Sequence, residues 1–226
     1  MNEVFRRRRL PHWDVPGAIY FVTSCLAGSI PAKGLVDIEQ YQRSLGRRTR
    51  PLDVTETDWR IRCWKLCFAR RDSWLDVNPA VRHFDDHRLA SIIQDSILHF
   101  AGQRYDLFAY VIMPSHIHWA FRPLDSWVAG LGKEPAQRTP REQIMHSLKG
   151  FTGRRCNEIL GAHGAFWQDE SYDHVVRDLD ELERIIDYIE HNPVKAGLVP
   201  ATEQWQFSSA AYRRIRNLPF GQPLLL

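Results

Sequence analysis

No stretch of the 226 residues approaches the run of about 18 apolar side chains that a membrane-spanning helix requires. A membrane protein is thereby excluded. Cysteine is scarce: Cys25, Cys63, Cys67 and Cys156 lie scattered without a C-x-x-C pair, which fits reduced thiols rather than a disulfide framework or a thiolate zinc site. An apolar signal core is missing as well, because Pro11, Asp14 and Pro16 follow the arginines at 6–9. These absences point to the cytoplasm. Charge of one sign is also lacking: 30 Lys and Arg face 27 Asp and Glu, so totals alone do not identify a polyanionic partner. Any such partner must show itself in how the charge is distributed. Repeats and low-complexity tracts are absent, and a 44% hydrophobic content is ample for one globular core.

Hydrophobic period places the elements. Ala18 to Cys25 is β-branched and aromatic and bounded by Pro16-Gly17 and Gly28, which predicts a buried strand. Charged, amphipathic sequence from about Val36 to Arg71 predicts two helices broken at Arg50-Pro51. Leu89, Ile92, Ile93, Ile97 and Phe100 recur at helical spacing. Leu107 to Met113 and His116 to Arg122, separated only by Pro114-Ser115, predict an antiparallel hairpin. A helix over about 140–160, a short strand over 172–177 and a helix over 179–191, stopped at Asn192-Pro193, complete the order. This succession predicts an α+β fold: a ferredoxin-like split βαβ antiparallel sheet with helices on one face and a helical insertion after the first strand. The expected organisation is a single domain over 1–226, with the insertion at about 28–80 and a C-terminal extension at about 199–226.

Three features could carry chemistry. On a strand, His116 and His118 point to the same face and can offer two nitrogens to one divalent metal, or be hydrogen-bonded surface residues. On the last helix Tyr188 and Asn192 stand at i and i+4, one above the other, where the phenol could act as a nucleophile and the amide oxygen as a third ligand. Between residues 133 and 155, Lys133, Arg138, Arg141, Lys149, Arg154 and Arg155 face only Glu134 and Glu142. That basic stretch could follow a phosphate backbone, with Trp119, Trp127 and Trp167 as stacking platforms and the arginines at 6–9 as a flexible arm in a groove.

The segment from Tyr110 to Trp119, YVIMPSHIHW, resembles the V-M-P-N-H-V-H signature of single-tyrosine HUH transposases. The blocks FWQDESYDHVVRD from Phe166 and DYIEHNPVKAGLV from Asp187 resemble the branch called REP-associated tyrosine transposases, as does SLKGFT from Ser147. The resemblance covers most of residues 16 to 206. Ser115 stands where Asn is frequent, and Asn192 where many relatives of the insertion-sequence type carry Gln.

The resemblance implies a metal-dependent endonuclease and strand transferase for single-stranded or hairpin DNA, the hairpins being palindromic repeats. In that scheme His116, His118 and Asn192 hold Mg²⁺ or Mn²⁺, and Tyr188 forms a 5′-phosphotyrosine, with Tyr172 as the reserve nucleophile. Lys149, Arg154, Arg155, Arg141, Lys195, Arg7 and Arg8 are the expected DNA contacts. A bacterial-type cytoplasmic, nucleoid-associated protein, monomeric or homodimeric, is the expected setting. Two other readings of the same residues stay open: a non-catalytic nucleic-acid-binding module, and a phosphohydrolase in which water is the nucleophile.

Overall fold

The fold is described from a computed structural model covering residues 4–7, 11–77, 79–131 and 138–224. The chain divides into two compact units, Gly28–Arg82 on one hand and Met1–Ala27 with His83–Leu226 on the other. In the first, α1 (Ala32–Gly46) and α2 (Glu56–Val77) are joined by a loop over 47–55. The two helices approach closely at Gly34, where a Cβ would stand 2.9 Å from the Trp74 ring. Asp37 of α1 accepts hydrogen bonds from Arg70 and from the Trp74 indole of α2.

The larger unit is built on a four-stranded antiparallel sheet. Its strands are β3 (Tyr20–Cys25), β4 (Tyr105–Met113), β5 (His116–Pro123) and β6 (Tyr172–Val175), in spatial order β4-β5-β3-β6. With α3 (His87–His99) between β3 and β4 and α5 (Pro140–Leu160) between β5 and β6, this is the ferredoxin-like split βαβ arrangement expected from the element order. α4 (Asp125–Gly130) is a short turn of helix after β5.

Alternation along β5 sorts the side chains between the two faces of the sheet. Ile117, Trp119 and Phe121 point toward α3, where Tyr105 of β4 packs against Trp119 and donates to the Ile97 carbonyl. α5 packs beside α3. It starts on a capping box, Thr139 accepting from the Glu142 amide while Glu142 accepts from the Thr139 amide, with Pro140 in the first turn. His116 and His118 point to the opposite face, against which α6 (Leu179–Lys195) lies. α6 runs four residues past the expected end at 191, through Asn192-Pro193 to Lys195. A proline near a helix end removes only one amide donor, and the chain turns out at Gly197, in the left-handed conformation. This places Asn192 inside the helix, on the same face as Tyr188.

Two elements differ from the sequence reading. The arginines at 6 and 7 lie in β1 (Val4–Arg7), paired antiparallel with β2 (Pro11–Asp14), so this segment is a paired ribbon and not a free arm. Trp119 and Trp167 are core residues: Trp119 is fully buried, and Trp167 packs on Phe84 and Phe166 while donating to Thr152.

β4 is an edge strand, and residues 205–224, including α7 (Ser209–Arg216), run along its outer side. The amides of Tyr110 and Ile112 donate to Ser209 Oγ and the Phe207 carbonyl. The carbonyls of Leu107, Phe108 and Ile112 accept from the Leu224 amide, Arg213 and the Trp205 indole. An edge satisfied in this way is closed to pairing with another strand. Among the described residues, no helix is long and apolar enough to cross a membrane.

Candidate active site

His116 and His118 stand at the start of β5, just after the two-residue turn, and both are fully buried. Their Nε2 atoms lie 3.0 Å apart. Each ring is fixed from behind by a hydroxyl: Ser115 Oγ is 3.0 Å from Nδ1 of His116, and Thr23 Oγ1 is 2.7 Å from Nδ1 of His118. A hydroxyl that accepts from Nδ1–H selects the tautomer whose Nε2 lone pair is free to bind a metal. Thr23 reaches His118 because β3 and β5 pair in the register Thr23↔His118. Two nitrogens bound at about 2.1 Å to adjacent positions of an octahedral ion are about 3.0 Å apart, which is the spacing observed.

α6 brings the other two residues to this face. The Tyr188 ring meets Phe21 edge-on at 5.9 Å and His118 at 5.5 Å. One turn on, Asn192 is fully buried, and neither polar atom of its side chain has a hydrogen-bond partner among the described residues. A buried amide with both ends unsatisfied costs about 1–3 kcal/mol per group. An orphaned buried amide one turn from Tyr188, which meets His118, is a candidate ligand position. A donor set of two imidazoles and an amide oxygen, with positions left over for phosphate oxygen and water, can hold a divalent metal ion.

That geometry gives a test at Asn192. Asn192→Leu is expected to raise the thermal midpoint measured in chelator by about 2–4 °C per kcal/mol recovered. It should also shrink the stabilisation that Mn²⁺ gives the wild type. A lower midpoint together with an undiminished response to Mn²⁺ would remove Asn192 from the site.

The expected DNA contacts separate in space. Lys195, in the last turn of α6, holds its ammonium 5.5 Å from the Tyr188 ring centroid, beside the candidate nucleophile. Arg154 is exposed and lines a cavity of about 650 Å³ together with Arg138, His146 and Gly150. Arg155 is exposed but paired with Glu158 at 2.6 Å. Lys149 turns inward, donating to the carbonyls of Gln168 and Asp169 and to Ser171. Burial pushes its ammonium down to about 8. Arg141 does not face solvent at all: its guanidinium is buried, bonded to both oxygens of Asp14 and 3.7 Å from Asp173. It fastens α5 to β2 and β6 instead of facing a phosphate. The side chain of Arg7 and the whole of Arg8 lie outside the described residues.

Sequence reasoning passes over two residues, Thr23 and the hydroxyl role of Ser115. Nothing in one sequence gives the strand register that sets Thr23 against His118. Ser115 stands within the motif, but from sequence its visible effect is on the turn alone. Tyr172, the reserve nucleophile, pairs with Thr23 across β3 and β6 and so shares the histidine face two strands from His118.

No family model matches the chain. Two curated proteins do. One, from Haemophilus influenzae, is named for the REP-associated tyrosine transposases and is 28% identical over 108 residues, covering 46% of this chain and 58% of its own length. The other, a REP-associated tyrosine transposase of Escherichia coli, is 26% identical over 109 residues, covering 46% of this chain and 54% of its own. This chain thus spans a little over half the length of the curated relatives it matches. A solved structure titled as a REP-associated tyrosine transposase bound to a REP hairpin superposes with a TM-score of 0.46 at 15% identity, over 95% of this chain and 90% of that one. The two curated relatives bear out the resemblance read from the motifs: this chain is similar to REP-associated tyrosine transposases.

Proposed function

We propose that the protein is a metal-dependent endonuclease and strand transferase for single-stranded or hairpin DNA, acting through a covalent tyrosine intermediate. One observation carries this reading: a pair of buried imidazoles with converging Nε2 atoms lies against the helix that presents both a phenol and an unsatisfied buried amide. His116, His118 and Asn192 would hold the ion, and when bound it supplies Lewis-acid polarisation of a phosphodiester.

Tyr188 acts as the nucleophile. Its Oη forms a bond to phosphorus while the bond from phosphorus to the 3′ oxygen breaks, and the phenolic proton is balanced by the one the departing 3′-hydroxyl gains. The product is a 5′-phosphotyrosine and a free 3′ end, so the phosphodiester energy is kept for rejoining. Thr23 and Ser115 orient the imidazoles, Phe21 holds the Tyr188 ring from the side, and Lys195 places a cation where the phosphate charge arrives. The protein acts as a monomer, a reading supported by the occupied outer edge of β4.

The test uses labelled hairpin oligonucleotides from repeats near the gene, incubated with Mn²⁺ or with chelator. Cleavage is expected only with metal. Tight binding of a fair panel without cleavage would instead favour a non-catalytic binding module on the same fold.

A further inference from the structure

The charge that the totals conceal is concentrated in the helical unit. Between Gly28 and Arg82 there are eleven Lys and Arg against seven Asp and Glu, whereas the rest of the chain holds nineteen against twenty. The unit carrying the candidate active site is therefore close to neutral, and several of its cations are already committed to carboxylates or carbonyls, as described for Arg141, Lys149, Arg155 and Arg213. A polyanion bound by that unit alone would gain little from long-range attraction.

Part of this charge lies near the connection between α1 and α2. Arg47 caps the C-terminus of α1, Arg48 follows it, and Arg60 and Arg62 lie in the first two turns of α2. All four are exposed and make no ion pair among the described residues. Their neighbours behave differently: Arg43 pairs with Glu39 at 2.7 Å, Arg70 pairs with Asp37, and Arg50 closes the connecting loop through the carbonyls of Pro51 and Val54 and lies 3.5 Å from Glu56. These four guanidinium groups lie near the α1–α2 connection, exposed and without a carboxylate partner among the described residues. They are placed for an external anion.

We propose that the tip of the α1–α2 hairpin is a second nucleic-acid surface, which grips the phosphate backbone of the DNA through Arg47, Arg48, Arg60 and Arg62. This rests on the functional reading above, because the partner it commits to is the substrate DNA. Guanidinium groups suit the role through their forked, permanently charged donors. Contacts of this kind carry affinity and salt dependence, not base choice.

The experiment compares the full-length wild type with R47A/R48A/R60A/R62A. Binding of a fluorescent hairpin, and of an unstructured oligothymidine of equal length, is followed by anisotropy from 50 to 300 mM salt. The variant is expected to bind the hairpin at least tenfold more weakly near 100 mM salt. Its slope of log K against log salt should be shallower by about 0.9 for each duplex phosphate no longer gripped, or about 0.7 where the backbone is single-stranded. Cleavage at saturating DNA should keep its wild-type rate. R43A/R88A, which removes two arginines already paired with Glu39 and Asp86, should change affinity by less than twofold. Equal affinity and slope for the quadruple variant and a DNA-binding wild type would overturn the tip surface while leaving the active-site reading in place. A quadruple variant no weaker than the R43A/R88A control would do the same. Failure of the wild type to bind either DNA would overturn both.

Discussion

Tyr188→Phe is expected to abolish strand cleavage while leaving hairpin affinity within about twofold of wild type. The substitution removes a single oxygen. The phenyl ring keeps the contacts with Phe21 and His118 that hold this part of α6 against the sheet, so folding and the histidine pair should survive. What disappears is the only atom of that residue able to bond phosphorus. Loss of a nucleophile commonly costs several orders of magnitude, so single-turnover cleavage should fall by at least about 10³-fold. Cleavage of the Tyr188→Phe protein at the wild-type rate would pass the role to water or to Tyr172. The two would then be told apart by Tyr172→Phe, since Tyr172 faces the same side of the sheet from β6.

The second large effect is structural. Arg213 is buried, and its guanidinium donates to Glu190, to the carbonyls of Pro219 and Gln222, and to the Phe108 carbonyl. Ser209 shares the same Glu190 oxygen at 2.6 Å. Arg213→Ala leaves Glu190 as a buried charge without its cation and frees the segment that covers β4. Breaking a buried pair from one side costs about 3–5 kcal/mol, which at about 2–4 °C per kcal/mol is a fall of roughly 6–20 °C in thermal midpoint. An uncovered edge strand pairs readily with another chain, so light scattering should report self-association below the melting range. Glu190 lies two residues from both Tyr188 and Asn192, so the loosened helix should also cleave more slowly. An unchanged midpoint with a monodisperse monomer would show that this pair does not hold the C-terminal segment.

Much of the fold is readable from sequence where a physical pattern is local. The β3, β4 and β5 strands announce themselves by β-branched and aromatic runs. α5 is bounded by Pro140 at its start and a periodic apolar side, and the two-residue Pro114-Ser115 turn fixes the hairpin that presents the histidines. The H-x-H spacing alone puts both imidazoles on one face. Non-local facts are not readable. Arg141 sits in a basic stretch, and only the fold brings it against Asp14, 127 positions away, to bury it. Trp119 and Trp167 look like stacking platforms by composition, but parity along β5 turns Trp119 into the core, and the loop after α5 folds Trp167 onto Phe84. The partners of Nδ1, Thr23 above all, depend on strand register. Sequence cuts α6 short because Pro193 reads as a stop, whereas close to a helix end it removes a donor that the turn can do without. The i, i+4 spacing already sets Asn192 over Tyr188, and the extra turn carries that relation within a continuous helix.

Where the DNA becomes attached decides the mechanism. A hairpin labelled on the 5′ phosphate side of its cleavage point should be incubated with Mn²⁺ and the wild-type protein, denatured and digested, and the labelled peptide sequenced by mass spectrometry. The prediction is a metal-dependent adduct on the peptide containing Tyr188, with the added mass on that side chain. Cleaved DNA with no attached peptide, or an adduct carried by Tyr172, would contradict it.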